Sequence, residues 1–252
     1  MDHAYSAAHV PDLAGEDYIQ TLGRLHDVLR PKTYLEIGTL QGKSLALPRC
    51  KSIAIDPAFH ISPEFLPGIF AKPSVQFFQT GSDDFFAAND PTAILGAPVD
   101  MAFLDGMHRC EFLLRDFMNT ERHCKRNSIV AMHDCVPVET ATTNRSEAPQ
   151  QTLSPLHTGW WLGDVWRTCL LLKRARPDLR VTVLDCHPTG LVLVTNLDPA
   201  SRILPDGYDG HVRDMLGWDL DAIGLPNLIA EFGLEPASVV GTHEGVTRRF
   251  WL

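Results

Sequence analysis

Two stretches, twenty residues apart from acid to acid, carry the groups best suited to hold a nucleoside-containing ligand. The first, Leu35-Glu36-Ile37-Gly38-Thr39-Leu40-Gln41-Gly42-Lys43-Ser44, is an apolar run ending in an acid, then a glycine turn that predicts the start of a helix. The second, Ile53-Ala54-Ile55-Asp56-Pro57, is another apolar run ending in a carboxylate. A glycine turn after one strand lets a ligand lie against the backbone. A carboxylate at the tip of the next strand accepts hydrogen bonds from both hydroxyls of a ribose. Two familiar nucleotide-binding turns fit poorly. Gly38-x-x-x-Gly42-Lys43-Ser44 is one residue short of the phosphate-binding loop, which spoils its ring of N–H donors. The dinucleotide fingerprint fails at Leu40, which stands where a second glycine would admit pyrophosphate.

A second constellation lies further along, in Asp100-Met101-Ala102-Phe103-Leu104-Asp105-Gly106-Met107-His108 and Ile129-Val130-Ala131-Met132-His133-Asp134-Cys135. Each polar cluster ends a predicted buried strand, the edge at which open α/β sheets bind ligands. Asp105, His133 and Asp134, with His108 nearby, therefore converge on one expected site. Carboxylate and imidazole donors of this kind suit Mg²⁺, Mn²⁺ or Zn²⁺. Without a metal, His108 or His133 offers a general base, because imidazole titrates near neutral pH. The plainer reading is that such an Asp caps the next helix and such a His is a hydrogen-bonded structural residue.

The elements that must position these groups alternate. Apolar runs predict strands at 33–37, 52–56, 75–79, 99–105 and 128–133. A helix over 15–30 presents Tyr18, Leu22, Leu25 and Leu29 near one face and stops at Pro31. Gly81-Ser82-Asp83-Asp84 caps a short helix, and helices are predicted over 109–124 and 163–176. Arg180–Asp185 and Gly190–Thr195 read as a closing hairpin. The expected fold is α/β: a Rossmann-like, doubly wound, mostly parallel sheet with helices on both faces and a C-terminal antiparallel hairpin. Residues 1–197 form the expected ligand-binding domain. Residues 198–252 have weaker periodicity and read as an extension serving as a lid or subunit contact.

Bulk properties narrow the class. A chain of 252 residues with 44% hydrophobic and 21% charged residues has ordinary globular composition. A net charge of -9 argues against an extended nucleic-acid surface, and the small basic clusters 173–176 and 248–249 read as a solvated helix end and tail. No apolar run reaches membrane-spanning length. Met1-Asp2-His3-Ala4-Tyr5 lacks the pattern of a signal peptide. Six scattered cysteines without C-x-x-C spacing suggest a reducing cytoplasm and no zinc knuckle.

The pattern Glu-x-Gly-x-x-x-Gly-x-Ser resembles the first motif of the class I S-adenosylmethionine-dependent methyltransferases. Strand–Asp-Gly-x-His, a helix carrying Asp116, strand–His-Asp, and Trp160-Trp161-Leu162-Gly163-Asp164-Val165-Trp166 resemble the branch that includes sugar and small-molecule O-methyltransferases. The likeness spans roughly residues 15–195. It implies S-adenosylmethionine as cofactor, held by Glu36, Gly38, Gly42, Ser44, Asp56, Ser82, Asp83 and Asp105. It further implies a divalent metal on Asp105, His133 and Asp134, catalysis by Asp105, His108 and His133, and a small-molecule acceptor. His133 departs from the Asp-Asn pair of catechol-type relatives. The competing readings are a metal-dependent hydroxylase or hydrolase on the same scaffold and a non-catalytic cofactor-binding regulator. Trp160, Trp161 and Trp166 are candidates for a substrate wall, with a core anchor as the alternative for Trp166. The Pro-containing loop 136–162 is long enough to gate substrate. A homodimer is the expected way to cover the apolar residues of 198–252.

Overall fold

The computed structural model describes residues 13–147, 152 and 155–252. Met1–Tyr5, on which the targeting expectation rests, and Pro149 of the long loop lie outside the described residues.

The strands are β1 (Gly15–Asp17), β2 (Thr33–Ile37), β3 (Lys51–Ile55), β4 (Val75–Phe78), β5 (Val99–Leu104), β6 (Cys124–His133), β7 (Arg180–Leu184), β8 (Cys186–His187) and β9 (Leu191–Thr195). Seven of them form one sheet in the order β4-β3-β2-β5-β6-β9-β7. The neighbours from β4 to β6 are parallel, whereas β9 runs antiparallel to both β6 and β7, completing the expected hairpin. β1 and β8 form a separate parallel pair. All residues of β2, β5 and β9 are buried, as strands covered on both faces must be. Successive crossovers run outward from β2 to β3 and β4, then return to β5 on its other side. That reversal opens a crevice between the carboxyl ends of β2 and β5.

Helices cover both faces: α1 (Tyr18–Leu29), α2 (Leu66–Phe70), α3 (Ser82–Ala88), α4 (Pro91–Leu95), α5 (Cys110–Glu121) and α6 (Trp166–Ala175). Asp17 caps α1 by accepting from the Ile19 N–H at 2.8 Å, and α1 ends at Arg30 in a left-handed conformation just before Pro31. One core cluster gathers Leu35, Ile53, Phe117 and Trp166. The opposite face gathers Leu22, Tyr34, Phe103 and Leu193. Trp166 is 1% exposed and is a core anchor.

Three expectations change. The glycine turn after β2 opens no regular helix: a single turn forms, with the Ala46 N–H on Gly42 O at 3.0 Å. Pro48, which has no N–H to continue the ladder, follows at once. Arg176, expected at a solvated helix end, is instead 1% exposed and makes a two-pronged pair with Glu121, both contacts at 2.9 Å, with Asp178 beside it. Residues 198–252 carry more regular structure than their periodicity suggests: α7 (Ile203–Asp206), α8 (Tyr208–Gly217), α9 (Leu220–Ile223), α10 (Leu225–Phe232) and α11 (His243–Arg249). Leu204, Met215, Leu228 and Phe232 enter the first core cluster, while Val240, Val246 and Phe250 enter the second. Glu235 extends the β7 edge through Glu235 N–Val183 O at 2.8 Å and Asp185 N–Glu235 O at 2.9 Å.

All six cysteines are free and buried. Among the described residues, no helix is long and apolar enough to cross a membrane.

Candidate active site

The crevice between β2 and β5 is closed at its base by backbone. Gly38 has φ of 85°, and a Cβ there would lie 1.9 Å from Asp105 O, so only glycine permits this approach. Gly38 N bonds Ile55 O and Asp105 N bonds Ile37 O, both at 2.9 Å, tying the three strand ends together. Asp56, at the tip of β3, accepts from the backbone of Leu40 at 2.8 Å and of Ala58 at 2.7 Å, one donor on each oxygen. The carboxylate is thereby fixed in orientation, and each oxygen keeps a second lone pair.

Glu36 is fully buried, and its Oε2 accepts from the Tyr34 hydroxyl at 2.5 Å. Burial raises its pKa to about 7, with the hydroxyls of Tyr34, Thr39 and Ser44 acting in the opposite direction. Glu36 Oε1 and Thr39 Oγ1 are buried, and their approach gives no well-formed hydrogen bond to either atom. Gly42 and Ser44 support the turn from within. Gly42 has φ of 85° beneath Ile61 and Ile69, and Ser44 is 6% exposed. Asp83 is engaged by Arg115, whose Nε reaches both carboxylate oxygens at 2.9 and 3.0 Å while its Nη1 donates to the Tyr208 hydroxyl at 2.6 Å. Ser82 lies beside Asp116 at the start of α3.

Four polar side chains from the β5 and β6 ends converge beside this turn. His108 Nε2 lies 3.5 Å from Asp105 Oδ1 and 3.4 Å from Asp134 Oδ2. His133 Nδ1 lies 3.5 Å from Asp105 Oδ1 and 3.4 Å from Asp134 Oδ1. Asp105, His108 and Asp134 each offer one ligand atom, and the three atoms lie within 4.8 Å of one another. These contacts are long and poorly directed, and Asp105 Oδ1 and His133 Nδ1 make no well-formed hydrogen bond. Burial favours the neutral form of Asp105, yet the imidazoles of His133 and His108 outweigh it and hold the carboxyl well below the usual range. Burial likewise opposes charge on both histidines, but Asp105 and Asp134 raise His108 to about 9 and His133 to about 10.

Several residues to which the sequence gives no positioning role orient these groups. The Trp161 carbonyl, 2.9 Å from His108 Nδ1, accepts a hydrogen bond from it and leaves Nε2 facing the carboxylates. The Trp161 ring stacks on His108 with centroids 5.0 Å apart. Thr189 Oγ1 donates to Asp134 and lies 3.3 Å from His133 Nε2. Tyr18, assigned by periodicity to the buried face of α1, stacks on His133 at 3.9 Å. Gly163 presses on the His108 backbone, and Asp164 binds it on either side, Asp164 N to His108 O at 3.2 Å and Asp164 Oδ1 to Cys110 N at 2.8 Å. Leu40 and Met107, at the ends of β2 and β5, are 56% and 47% exposed.

Residues 35–135 match the family Methyltransf_24, described as a methyltransferase domain. No curated protein matches the chain. Among solved structures, a putative O-methyltransferase from Klebsiella pneumoniae is 17% identical, with 71% of this chain and 79% of that chain covered and a TM-score of 0.51. An O-methyltransferase from Bacillus cereus in complex with SAH is 15% identical, covering 70% and 79%, at a TM-score of 0.50. An SAH-bound methyltransferase from Podospora anserina is 12% identical, covering 72% and 78%, at a TM-score of 0.51. At these identities the likeness is one of fold.

Proposed function

We propose that this chain, whose residues 35–135 match a methyltransferase domain, is a class I S-adenosylmethionine-dependent methyltransferase, that its methyl acceptor is a hydroxyl of a small molecule and that a divalent cation assists. The observation that carries this reading is the convergence of Asp105, His108 and Asp134 within 4.8 Å beside the Gly38 turn.

The cofactor side fits the residues present. Asp56 is held to accept ribose hydroxyls, and the buried Glu36 Oε1 and Thr39 Oγ1 are suited to the polar groups of the amino-acid portion. Ser82, beside Asp116 at the start of α3, would meet the adenine edge. Asp83 is less available because Arg115 already neutralises it. The bound cofactor supplies an electrophilic methyl group on a sulfonium.

The donor set also fits a divalent metal: two carboxylates and one imidazole whose tautomer is set by a backbone carbonyl. Asp105, His108 and Asp134 would hold it, and it would supply Lewis acidity that lowers the pKa of the acceptor hydroxyl. His108 takes the place that the sequence reading gave to His133, whose Nδ1 faces the same carboxylates from a more buried position, 7% against 19% exposed. Without a cation, both imidazoles hold protons at neutral pH, so His108 Nε2 would serve as a base only in alkaline solution. Trp161, Leu40 and Met107 offer apolar surface at the same edge, which suits an aromatic or sugar-like acceptor. The methyltransferase match favours transfer chemistry over the hydroxylase, hydrolase and non-catalytic readings.

The test is methyl transfer from S-adenosylmethionine to a panel of phenols, catechols and sugars, with and without exhaustive chelation. Calorimetry with S-adenosylhomocysteine accompanies it. Chelation is expected to abolish turnover, and Mn²⁺ or Mg²⁺ to restore it, while S-adenosylhomocysteine binding persists. Full turnover after chelation removes the metal from the reading.

A further inference from the structure

A cavity of ≈ 770 Å³ lies at the opposite, amino end of β2 and β3, between the end of α1 and the segment entering β3. Arg30, Lys32, Arg49 and Lys51 line it, and all four are exposed. None has a carboxylate partner among the described residues. Lys51 Nζ reaches only the Leu95 carbonyl, at 3.2 Å, and Arg49 Nη1 only that of Gly68, at 3.5 Å. The nearby acid Asp100 is committed to Lys125 Nζ at 2.5 Å and to the Lys32 backbone N–H at 2.7 Å. Asp27 is the single carboxylate among the described residues of the lining. Four cations therefore face one acid, in a chain whose net charge is -9.

His26 also lines the cavity. It is 5% exposed, its ring meets Tyr34 edge-on at 5.2 Å, and neither ring nitrogen has a partner. Burial, reinforced by the Lys72 ammonium, lowers its pKa to about 3, so the imidazole is neutral and carries one N–H donor. A buried donor left unmatched is costly, and unpaired like charges converging on a recess repel one another. An oxyanion entering the recess relieves both.

We infer that this cavity binds a phosphate-bearing small molecule, with Arg30, Lys32, Arg49 and Lys51 on its oxygens and the His26 N–H at the wall. Phosphate offers several strong acceptor oxygens and the charge to engage four cations at once. The recessed shape suits a small ligand rather than a nucleic-acid backbone, which needs an extended basic stripe. The site is separate from the proposed reaction centre and does not depend on it.

The experiment is calorimetric titration of the full chain with pyrophosphate at low ionic strength. It compares wild type with Lys32→Gln, Arg49→Gln and the double variant Arg30→Gln/Lys51→Gln. These side chains are exposed, and thermal melting checks that the fold is retained. Wild type is expected to bind, with affinity falling as NaCl is added. Each variant is expected to bind about tenfold more weakly or worse, as loss of a charge-assisted hydrogen bond implies. His26→Phe, which keeps the packing against Tyr34, is expected to weaken binding without altering that salt dependence. Absence of binding by wild type overturns the inference. So does binding that is equal in wild type and all three cation variants, because the anion would then sit elsewhere.

Discussion

Gly163→Ala tests whether the segment after the long loop positions His108 for chemistry. Residue 163 has φ of 61°, where an alanine is disfavoured by about 1–2 kcal/mol. The added Cβ would also stand 1.7 Å from His108 O and 2.7 Å from His108 Cβ. Restoring an ordinary contact of 3.4 Å requires the two segments to part by the difference, 1.7 Å. That movement breaks the Asp164 N–His108 O bond at 3.2 Å and strains the His108 Nδ1–Trp161 O contact at 2.9 Å, so Nε2 leaves the two carboxylates. Misplacing a reacting group by about 1 Å costs on the order of 100-fold in rate. The expected result is a fall of about 100-fold in kcat with a stability loss of about 2–4 kcal/mol. Gly38 and Asp56 lie on other strand ends, so S-adenosylhomocysteine affinity is expected to change less than about threefold. Turnover at saturating S-adenosylmethionine, calorimetry with S-adenosylhomocysteine and thermal melting separate these effects. Wild-type turnover in Gly163→Ala would refute the positioning role. A loss of cofactor affinity as large as the loss of rate would show that the substitution spreads beyond His108.

Asp56→Ala is expected to weaken S-adenosylhomocysteine binding, itself of micromolar order, by about tenfold or more. The change removes the ribose acceptor together with the anchor of the Leu40 and Ala58 amides, and unchanged affinity by calorimetry would reduce Asp56 to a turn anchor. Asp116 is buried on α5 with Oδ1 unpartnered, and burial raises its pKa from 3.8 to about 7. Its folded value lies above its unfolded value, so its contribution to stability is complete below pH 3.8 and is lost as pH rises through 7. The difference corresponds to at most about 4 kcal/mol. Asp116→Asn should therefore stabilise the protein at pH 8 and do little at pH 4 in urea denaturation. Equal effects at the two pH values would contradict a buried neutral carboxyl.

The strands were legible because Met101–Leu104 of β5 and Ile129–Met132 of β6 are unbroken apolar runs followed at once by Asp or His, and parallel pairing brings those ends to one edge. Convergence of Asp105, His108, His133 and Asp134 follows from strand ends alone. What orients them does not. Tyr18 has the spacing of an ordinary core residue on α1, and only the packing of α1 across β5 and β6 sets it on His133. Pro48 limits the segment after Gly42 to a single turn, although the glycine pattern alone points to a longer element. The helices after residue 198 are short and punctuated by Pro and Gly, so their periodicity is weak even where Leu225, Leu228 and Phe232 share one buried face. The basic cavity shows most plainly what pairing adds. Arg30 and Lys32 stand in the connection before β2, Arg49 precedes β3 and Lys51 opens it, and each pair reads in sequence as ordinary solvated charge. The register that sets Thr33 opposite Lys51 brings the two connections side by side. Pairing of Asp100 with Lys125 then leaves Asp27 as the one carboxylate among the described lining residues. An excess of positive charge can thus be created by strand register in a chain whose composition is acidic, and such a site is found only by asking what each buried or paired acid is already bound to.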